Sequence, residues 1–401
     1  MKPNSIKKKL ACFLGVFFLL AAFSTSGYAE VGVTDNSIKI GTSQDLSGPC
    51  VFYGKGYLQG MNVYFKSVNE KGGINGRKIE LIAYDDSYKP SRTVSNFKRL
   101  VYEDKVFSLC QTFGTPTTLA ILPLIDKEKI PLIAPSTSAI QVAIPPKKYV
   151  FPVWPLLHYY GRLMVDYAVN ESGSKSPKAA LLFMDTEFGT QQRDGAIDQA
   201  KKYGFELLDV VPYKGSTVDF TSILLRVKDK HPDYVFLASI IKDTAAILVK
   251  AKEMGWAPQF LGMSASVNQS MLNLAGDAVE YGKGYKALYA ANLSDEDKAG
   301  PNEFRAALKA YAPDVAPNEI IFHGYGAAKL MCEGIRRAGK DLTREGLVKA
   351  LETLKDFSNG VNPPCTYGPG YRIGASAARI VKVSGGKFVS QSDWIYPKFT
   401  K

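Results

Sequence analysis

The sequence is poor in the side chains that do covalent chemistry. Its three histidines, His158, His231 and His323, lie far apart, and none has a Cys or Asp neighbour at ligand spacing. The G-x-S-x-G, H-E-x-x-H and Walker A patterns are all absent, which removes the common hydrolase, zinc-protease and P-loop readings. Cysteine is scarce too, five in 401 residues, and without a Cys-x-x-Cys no zinc or redox motif is indicated. The formal net charge is +12, yet no block of five Lys/Arg occurs. Basic residues alternate with acids, as in Lys201-Lys202 with Glu206 or Arg336-Arg337 with Glu333, the pattern of a solvated surface and not of a nucleic-acid face. No segment beyond residue 23 approaches the ~20 apolar residues of a spanning helix.

What stands at the N-terminus is an address. Lys2, Lys7, Lys8 and Lys9 precede an apolar run from Leu10 to Phe23, and small residues then lead to Gly27-Tyr28-Ala29. That order reads as a secretory signal peptide over residues 1–29, cleaved after Ala29. The run is about 14 residues, too short to span. Cys12 lies near its start, whereas a lipid-attachment cysteine would follow it. Export without stable membrane insertion is therefore expected. Cleavage removes four lysines and lowers the net charge from +12 to +8. An oxidising compartment permits disulfides among Cys50, Cys110, Cys332 and Cys365. Cys332 with Cys365 is the favoured pair, because Cys110 ends the apolar run Val106–Cys110 and reads as a buried free thiol.

From Ser37 onward, strands alternate with helices. Ile38–Ser43, Lys78–Tyr84, Val106–Cys110 and Pro131–Pro135 read as strands. Between them lie a helix over Tyr57–Glu70, a second marked by Val94, Phe97, Leu100 and Val101, and a third over Pro116–Lys127. The same grammar restarts after Pro145-Pro146, with strands at Lys178–Met184, Glu206–Tyr213, Tyr234–Ala238 and Gln259–Met263. Helices at Gln191–Tyr203, Ser222–Lys230 and Thr244–Gly255 separate them. Further helices fall near Pro301–Tyr311, His323–Ala338 and Arg344–Leu354. The expectation is an α/β protein of two doubly wound parallel-sheet lobes joined by a multi-stranded hinge. The first lobe would comprise residues 30–153 with 290–368, and the second 154–289 with 369–401.

Gly54-x-Gly56-x-x-x-Gly60 opens a helix after a strand and imitates a dinucleotide fingerprint. A true fingerprint turns directly after the strand, whereas ten residues, Gln44 to Tyr53, intervene here. No cofactor is expected.

Two turns could hold a small anion. In Gly114-Thr115-Pro116-Thr117-Thr118, Thr115 reads as an N-cap and Pro116 as the first helical residue, leaving N–H groups and hydroxyls to converge at a strand end. Pro135-Ser136-Thr137-Ser138-Ala139 ends the next strand in the same way. Open α/β sheets bind ligands at such points. Phe52, Tyr53, Phe113, Trp154 and Phe188 read as loop aromatics that wall a cleft.

Several segments resemble the type I periplasmic binding proteins of the leucine/isoleucine/valine-binding class. They are Ile38-Lys39-Ile40-Gly41, Leu46-Ser47-Gly48-Pro49, Tyr53-Gly54, Asn69 to Arg77, Tyr84-Asp85-Asp86, Ile130 to Ser136, Phe188-Gly189 and Gln259 to Gly262. The resemblance spans nearly the whole exported chain. It implies a periplasmic, monomeric solute-binding component of an ABC importer, with a permease and ATPase as partners, a small molecule as ligand, and neither enzymatic activity nor a metal. By position, it places the carboxylate-binding hydroxyl at Thr115 and a second at Ser138, with Ser136 giving backbone contacts. Tyr53 falls on the pocket tyrosine, Phe188 on the aromatic that closes over the ligand, Ile240 on a wall position and Trp154 on an additional aromatic. Amino-acid-binding members carry an acid where Ser264 stands here, to pair with the α-ammonium. Without Glu187 or Asp185 as a substitute, the ligand expected is a carboxylate lacking that amine, an aromatic or short aliphatic acid. An amino acid, or an amide- or urea-type ligand sensed by the same fold, is the alternative. The family's first-lobe disulfide positions fall on Tyr88 and Gly114.

Overall fold

The computed structural model describes residues 30–398; the expected signal peptide and its cleavage point at Ala29 lie outside them. The first part of the chain runs β1 (Ser37–Gln44), α1 (Val51–Glu70), β2 (Lys78–Asp85), α2 (Pro90–Lys98), β3 (Ser108–Cys110), α3 (Thr115–Glu128), β4 (Leu132–Ile133) and β5 (Val150–Phe151). Its strands make one parallel sheet in the order β2-β1-β3-β4-β5. β3, β4 and β5 are buried at every residue, as strands covered by helices on both faces must be.

The second part runs α4 (Leu157–Ser172), β6 (Ala179–Met184), α5 (Glu187–Tyr203), β7 (Asp209–Tyr213), α6 (Thr221–Lys228), β8 (Tyr234–Ala238), α7 (Ile241–Glu253), β9 (Gln259–Met263), α8 (Gln269–Ala275) and β10 (Lys286–Tyr289). Its parallel strands repeat the first arrangement in the order β7-β6-β8-β9-β10. In each sheet the chain reverses direction across the first and third strands, β1/β3 and β6/β8. That reversal opens a crevice beyond the strand ends.

The remaining helices α9 (Ala299–Tyr311), α10 (Glu319–Ala338) and α11 (Arg344–Glu352) return to the first sheet, where α10 lies along α1. The ribbon β11 (Thr366–Gly368) and β12 (Tyr371–Gly374) follows. The hairpin β13 (Arg379–Ser384) and β14 (Lys387–Ser390) then adds antiparallel strands to β10. The chain thus passes between the sheets near residues 151–157, 290–299 and 374–379, which is the multi-stranded hinge expected. Among the described residues, no helix is long and apolar enough to cross a membrane.

The glycines that imitate a nucleotide motif are explained by packing. A Cβ on Gly54 would meet the Asp45 carbonyl oxygen at 2.0 Å, and one on Gly60 would meet that of Ile321 at 1.9 Å. Gly324 answers from α10, where a Cβ would lie 2.2 Å from the Tyr57 carbonyl. α1 and α10 therefore cross backbone to backbone.

Three expectations need correction. α1 begins at Val51, so Phe52 and Tyr53 are helical and not in a loop; Phe52, 58% exposed, walls nothing. The Cys332–Cys365 bond is not formed: both cysteines are free and buried, as are Cys50 and Cys110. Cys332 is enclosed within α10, while the Cys365 thiol donates to the Phe357 carbonyl at 3.4 Å. Burial pushes both thiols up to about 12, which suppresses the reactive thiolate. Finally, the sequence reading lacks β5, α4, α8 and β10 to β14.

Candidate functional site

The site begins where β3 and β4 end. Gln111 and Ala134, the next residues, both adopt left-handed backbone, at φ 46° and 49°. These turns swing the two following segments side by side. Phe113 bridges to Ser136 in parallel, and the Gly114 N–H donates to the Ser136 carbonyl at 3.3 Å. Gly114, at φ 94°, is the N-cap of α3; Thr115 is the first helical residue and not the cap expected of it. Glycine is required here, because a Cβ would meet the Tyr88 ring at 2.5 Å. That contact is where the family's disulfide positions fall. The Thr115 and Thr137 hydroxyls meet at 2.8 Å. The first-turn N–H groups of Thr115 and Thr117 have no acceptor within the helix, whose dipole adds partial positive charge at the same point.

Facing these turns are the strand ends of the second sheet: Met184 at the end of β6 and Thr186 after it, Ile240 after β8, and Ser264 after β9. A cavity of about 300 Å³ lies between the two sets. Its wall includes Tyr53, Phe113, Thr115, Ser136, Ser138, Trp154, Phe188, Ile240 and Ser264, all singled out from the sequence, but not Phe52. Sequence reasoning missed Tyr57, Tyr88, Tyr160, Met184, Thr186, Lys242 and His323, which also line it. Tyr57, Tyr160 and His323 occupy buried helical positions that read as ordinary core.

The wall is aromatic on one side and nearly uncharged throughout. Tyr53 stacks on Phe113 at 5.5 Å and 14°, and Trp154 meets His323 edge-on at 4.5 Å. Complete burial pushes His323 down to about 3, so it is neutral; its Nε2 shares a 2.8 Å hydrogen bond with the Tyr289 hydroxyl. Lys242 is the one charged lining residue, and no Asp or Glu lines the cavity. Ser264 Oγ, where amino-acid binders carry an acid, meets the Tyr160 hydroxyl at 2.8 Å and accepts from the Ala290 N–H at 2.9 Å. Neither candidate substitute reaches the wall. Glu187 accepts from Gln141 and Gln191 at 2.8 and 2.7 Å, and Asp185 is exposed.

The two halves are closed on each other. The Tyr53 hydroxyl, on α1, donates to the Ala265 carbonyl at 2.6 Å and accepts from the Ile241 N–H at 3.2 Å. Tyr53 therefore offers its ring to the cavity but spends its hydroxyl on the opposite half. At a second point, the Ile140 N–H donates to Gln191 Oε1 at 2.7 Å, and Gln191 Nε2 donates to Gln141 Oε1 at 2.7 Å. Among the described residues, no His, Cys, Asp and Glu cluster could hold a metal.

A family model described as "Periplasmic binding protein" matches residues 37–387. An amino acid binding protein of Pseudomonas aeruginosa is 24% identical over 341 residues, covering 84% of this chain and 86% of that protein. A branched chain amino acid ABC transporter protein from Thermus thermophilus, solved with bound valine, superimposes with a TM-score of 0.83 at 23% identity, covering 91% of this chain and 98% of its own. A fatty acid ABC transporter substrate-binding protein from Thermomonospora curvata gives 0.82 at 22% identity, covering 92% and 95%. The chain belongs to the type I periplasmic binding proteins of the leucine/isoleucine/valine-binding family, and so is a solute-binding protein and not an enzyme.

Proposed function

We propose that this protein captures a small carboxylate without an α-amino group, an aromatic or short aliphatic acid, in the cleft between its lobes and delivers it to a permease. The observation that carries the reading is the absence of any carboxylate from the cavity wall. A buried ammonium without a counter-charge costs several kcal/mol, a large part of the ~8 kcal/mol of a micromolar complex. An anion meets no such penalty beside Thr115, Ser138 and the start of α3, and Lys242 favours it from the other half. Relatives of near-equal likeness are named for a fatty acid and for bound valine, so the fold does not choose between ligands and the wall must.

Size narrows the class. The cavity of about 300 Å³ is at the small end of ligand pockets, which suits a benzoate-type ring acid or a short chain acid. Thr115, Ser136 and Ser138 would receive the carboxylate, with Tyr53, Trp154, Phe188, Ile240 and Ser264 around the apolar body. In this scheme, residues 30–153 with 290–368 move as one lobe and 154–289 with 369–401 as the other. The chain acts outside the cytoplasm after cleavage at Ala29, as a monomer. Ligand contacts made only in the closed form drive closure.

Calorimetric titration tests the reading. Benzoate and short alkanoic acids should bind, while leucine should bind at least tenfold more weakly. Thr115→Val should lose at least tenfold for every acid, as hydrogen bonds to charged groups contribute about 1.5–3 kcal/mol. Leucine binding tighter than all acids would discard the proposal.

Tyr53→Phe separates closure from contact. It keeps the ring and removes both bonds across the cleft. Affinity should drop about five- to thirtyfold, by the same factor for every ligand that binds. A loss confined to one ligand would show that the hydroxyl touches the ligand instead.

A further inference from the structure

One ionisable group beside the cavity has no part in holding the ligand. Asp243 lies in the first turn of α7 and is 1% exposed. Its Oδ2 accepts from the Tyr213 hydroxyl at 3.3 Å, and its Oδ1 is buried with no hydrogen-bond partner. An orphaned buried oxygen costs about 1–3 kcal/mol, and more when charged. Asp243 is not among the lining residues, so a ligand in the cavity leaves this oxygen unsatisfied.

The opposite half closes beside it. Two residues earlier, the Ile241 N–H donates to Tyr53 across the cleft, and both Tyr53 and Cys50 lie close enough to feel the Asp243 charge. The groups facing Asp243 are few. Tyr213 comes from β7 and is itself hydrogen-bonded to Ser239; Tyr53 and Cys50 come from the start of α1; Lys242 comes from α7 itself. Asp45 and Asp86 act on the same Cys50 thiol from behind it. Lys242 is the lone cation in the set, and it is exposed. Burial dominates over the opposing Lys242 charge and Tyr213 bond, and raises the Asp243 carboxyl from 3.8 to about 6.

We propose that closing the cleft is coupled to protonation of Asp243, so that the protein grips its ligand more tightly in mildly acidic surroundings than at neutral pH. The inference rests on the reading that closure captures a ligand. When the lobes part, Tyr53 and Cys50 withdraw, water reaches the carboxylate, and its proton affinity returns toward the ordinary value. The closed form binds the proton more strongly, so its advantage is complete at low pH and is lost as pH rises through about 6. With limits of 3.8 and about 6, binding should be about tenfold tighter at pH 5 than at pH 7.5, with about 0.7 proton taken up per ligand at pH 5.5.

The experiment is calorimetry with benzoate at pH 5.0, 5.5 and 7.5, in buffers of different ionisation enthalpy, corrected for protonation of benzoate itself. The expected result is that tenfold gain with its proton uptake. Asp243→Asn should show neither, and should bind at every pH at least as tightly as the unmodified protein does at pH 5. An affinity independent of pH, or the same dependence in the Asn variant, overturns the inference. If benzoate does not bind at any pH, the carboxylate reading is what fails. Small-angle scattering of the ligand-free protein then decides the coupling: greater compaction at pH 5 than at 7.5, absent in Asp243→Asn, upholds it, and identical curves overturn it.

Discussion

Gly60→Ala should destabilise the ligand-free protein by at least about 3 kcal/mol, a cost at the upper end of overpacking effects, read as a lower urea midpoint at unchanged slope. The reason is the crossing of α1 and α10. A methyl group on Gly60 would stand 1.9 Å from the Ile321 carbonyl oxygen and 2.6 Å from the Tyr325 nitrogen, and neither backbone atom can yield without moving α10. That helix carries Ile320 and His323 into the cavity wall, so a shift that relieved the clash would also disturb the site. Gly56→Ala should cost less, since its nearest neighbour is the Ile320 side chain at 2.6 Å, which can turn away. Gly370→Ala serves as the control, with nothing within 4 Å of its added Cβ, and should fall within about 0.5 kcal/mol of the unmodified protein. If Gly60→Ala matches that control, the close crossing does not exist. A nucleotide role would have predicted the reverse, intact stability with lost binding.

These glycines show what a sequence conveys and what it withholds. Spacing alone made them look like a phosphate loop; the reason is the Asp45 backbone for Gly54, and for Gly56 and Gly60 a partner helix more than 250 residues away. The strand and helix alternation was legible because each element buries one face or is buried whole, as in β8, where every residue is covered. α4 escaped notice because it has no clean stripe. Tyr160, Gly161, Leu163, Met164, Val165 and Asp166 are all buried, since α4 is pressed between the sheet and α5, where a Cβ on Gly161 would meet the Gln192 carbonyl at 1.9 Å. The β13–β14 hairpin did leave a signal, Gly385-Gly386 with positive φ at both residues, between two alternating runs. Thr115 and Ser138 were readable because hydroxyls beyond strand ends are unusual in a core. Tyr57, Tyr160 and His323 were not, since a polar aromatic on a buried helix face looks like packing until the fold shows a cavity beside it.

Ser264→Asp should shift the ratio of leucine to benzoate affinity at least a hundredfold toward leucine. The unmodified wall has no acid, and Ser264 Oγ sits at 2.8 Å from the Tyr160 hydroxyl and 2.9 Å from the Ala290 N–H. Both groups can donate, so one aspartate oxygen would take the place of Oγ and keep these two hydrogen bonds, giving up the one that Oγ donates to the Leu288 carbonyl at 3.4 Å, while the other oxygen faced the ligand. For a carboxylate ligand, a like charge in a closed, water-poor cavity costs several kcal/mol. For a zwitterion, the same oxygen supplies the missing partner of the ammonium, and the two effects add in the ratio. Taking a ratio also cancels any uniform loss from altered closure or stability, which a single affinity would not. Titration of both ligands into both proteins measures it directly. Should the ratio stay within threefold, the charge of the wall at this position does not select the ligand, and the preference for acids must originate at Thr115, Ser138 and Lys242 alone.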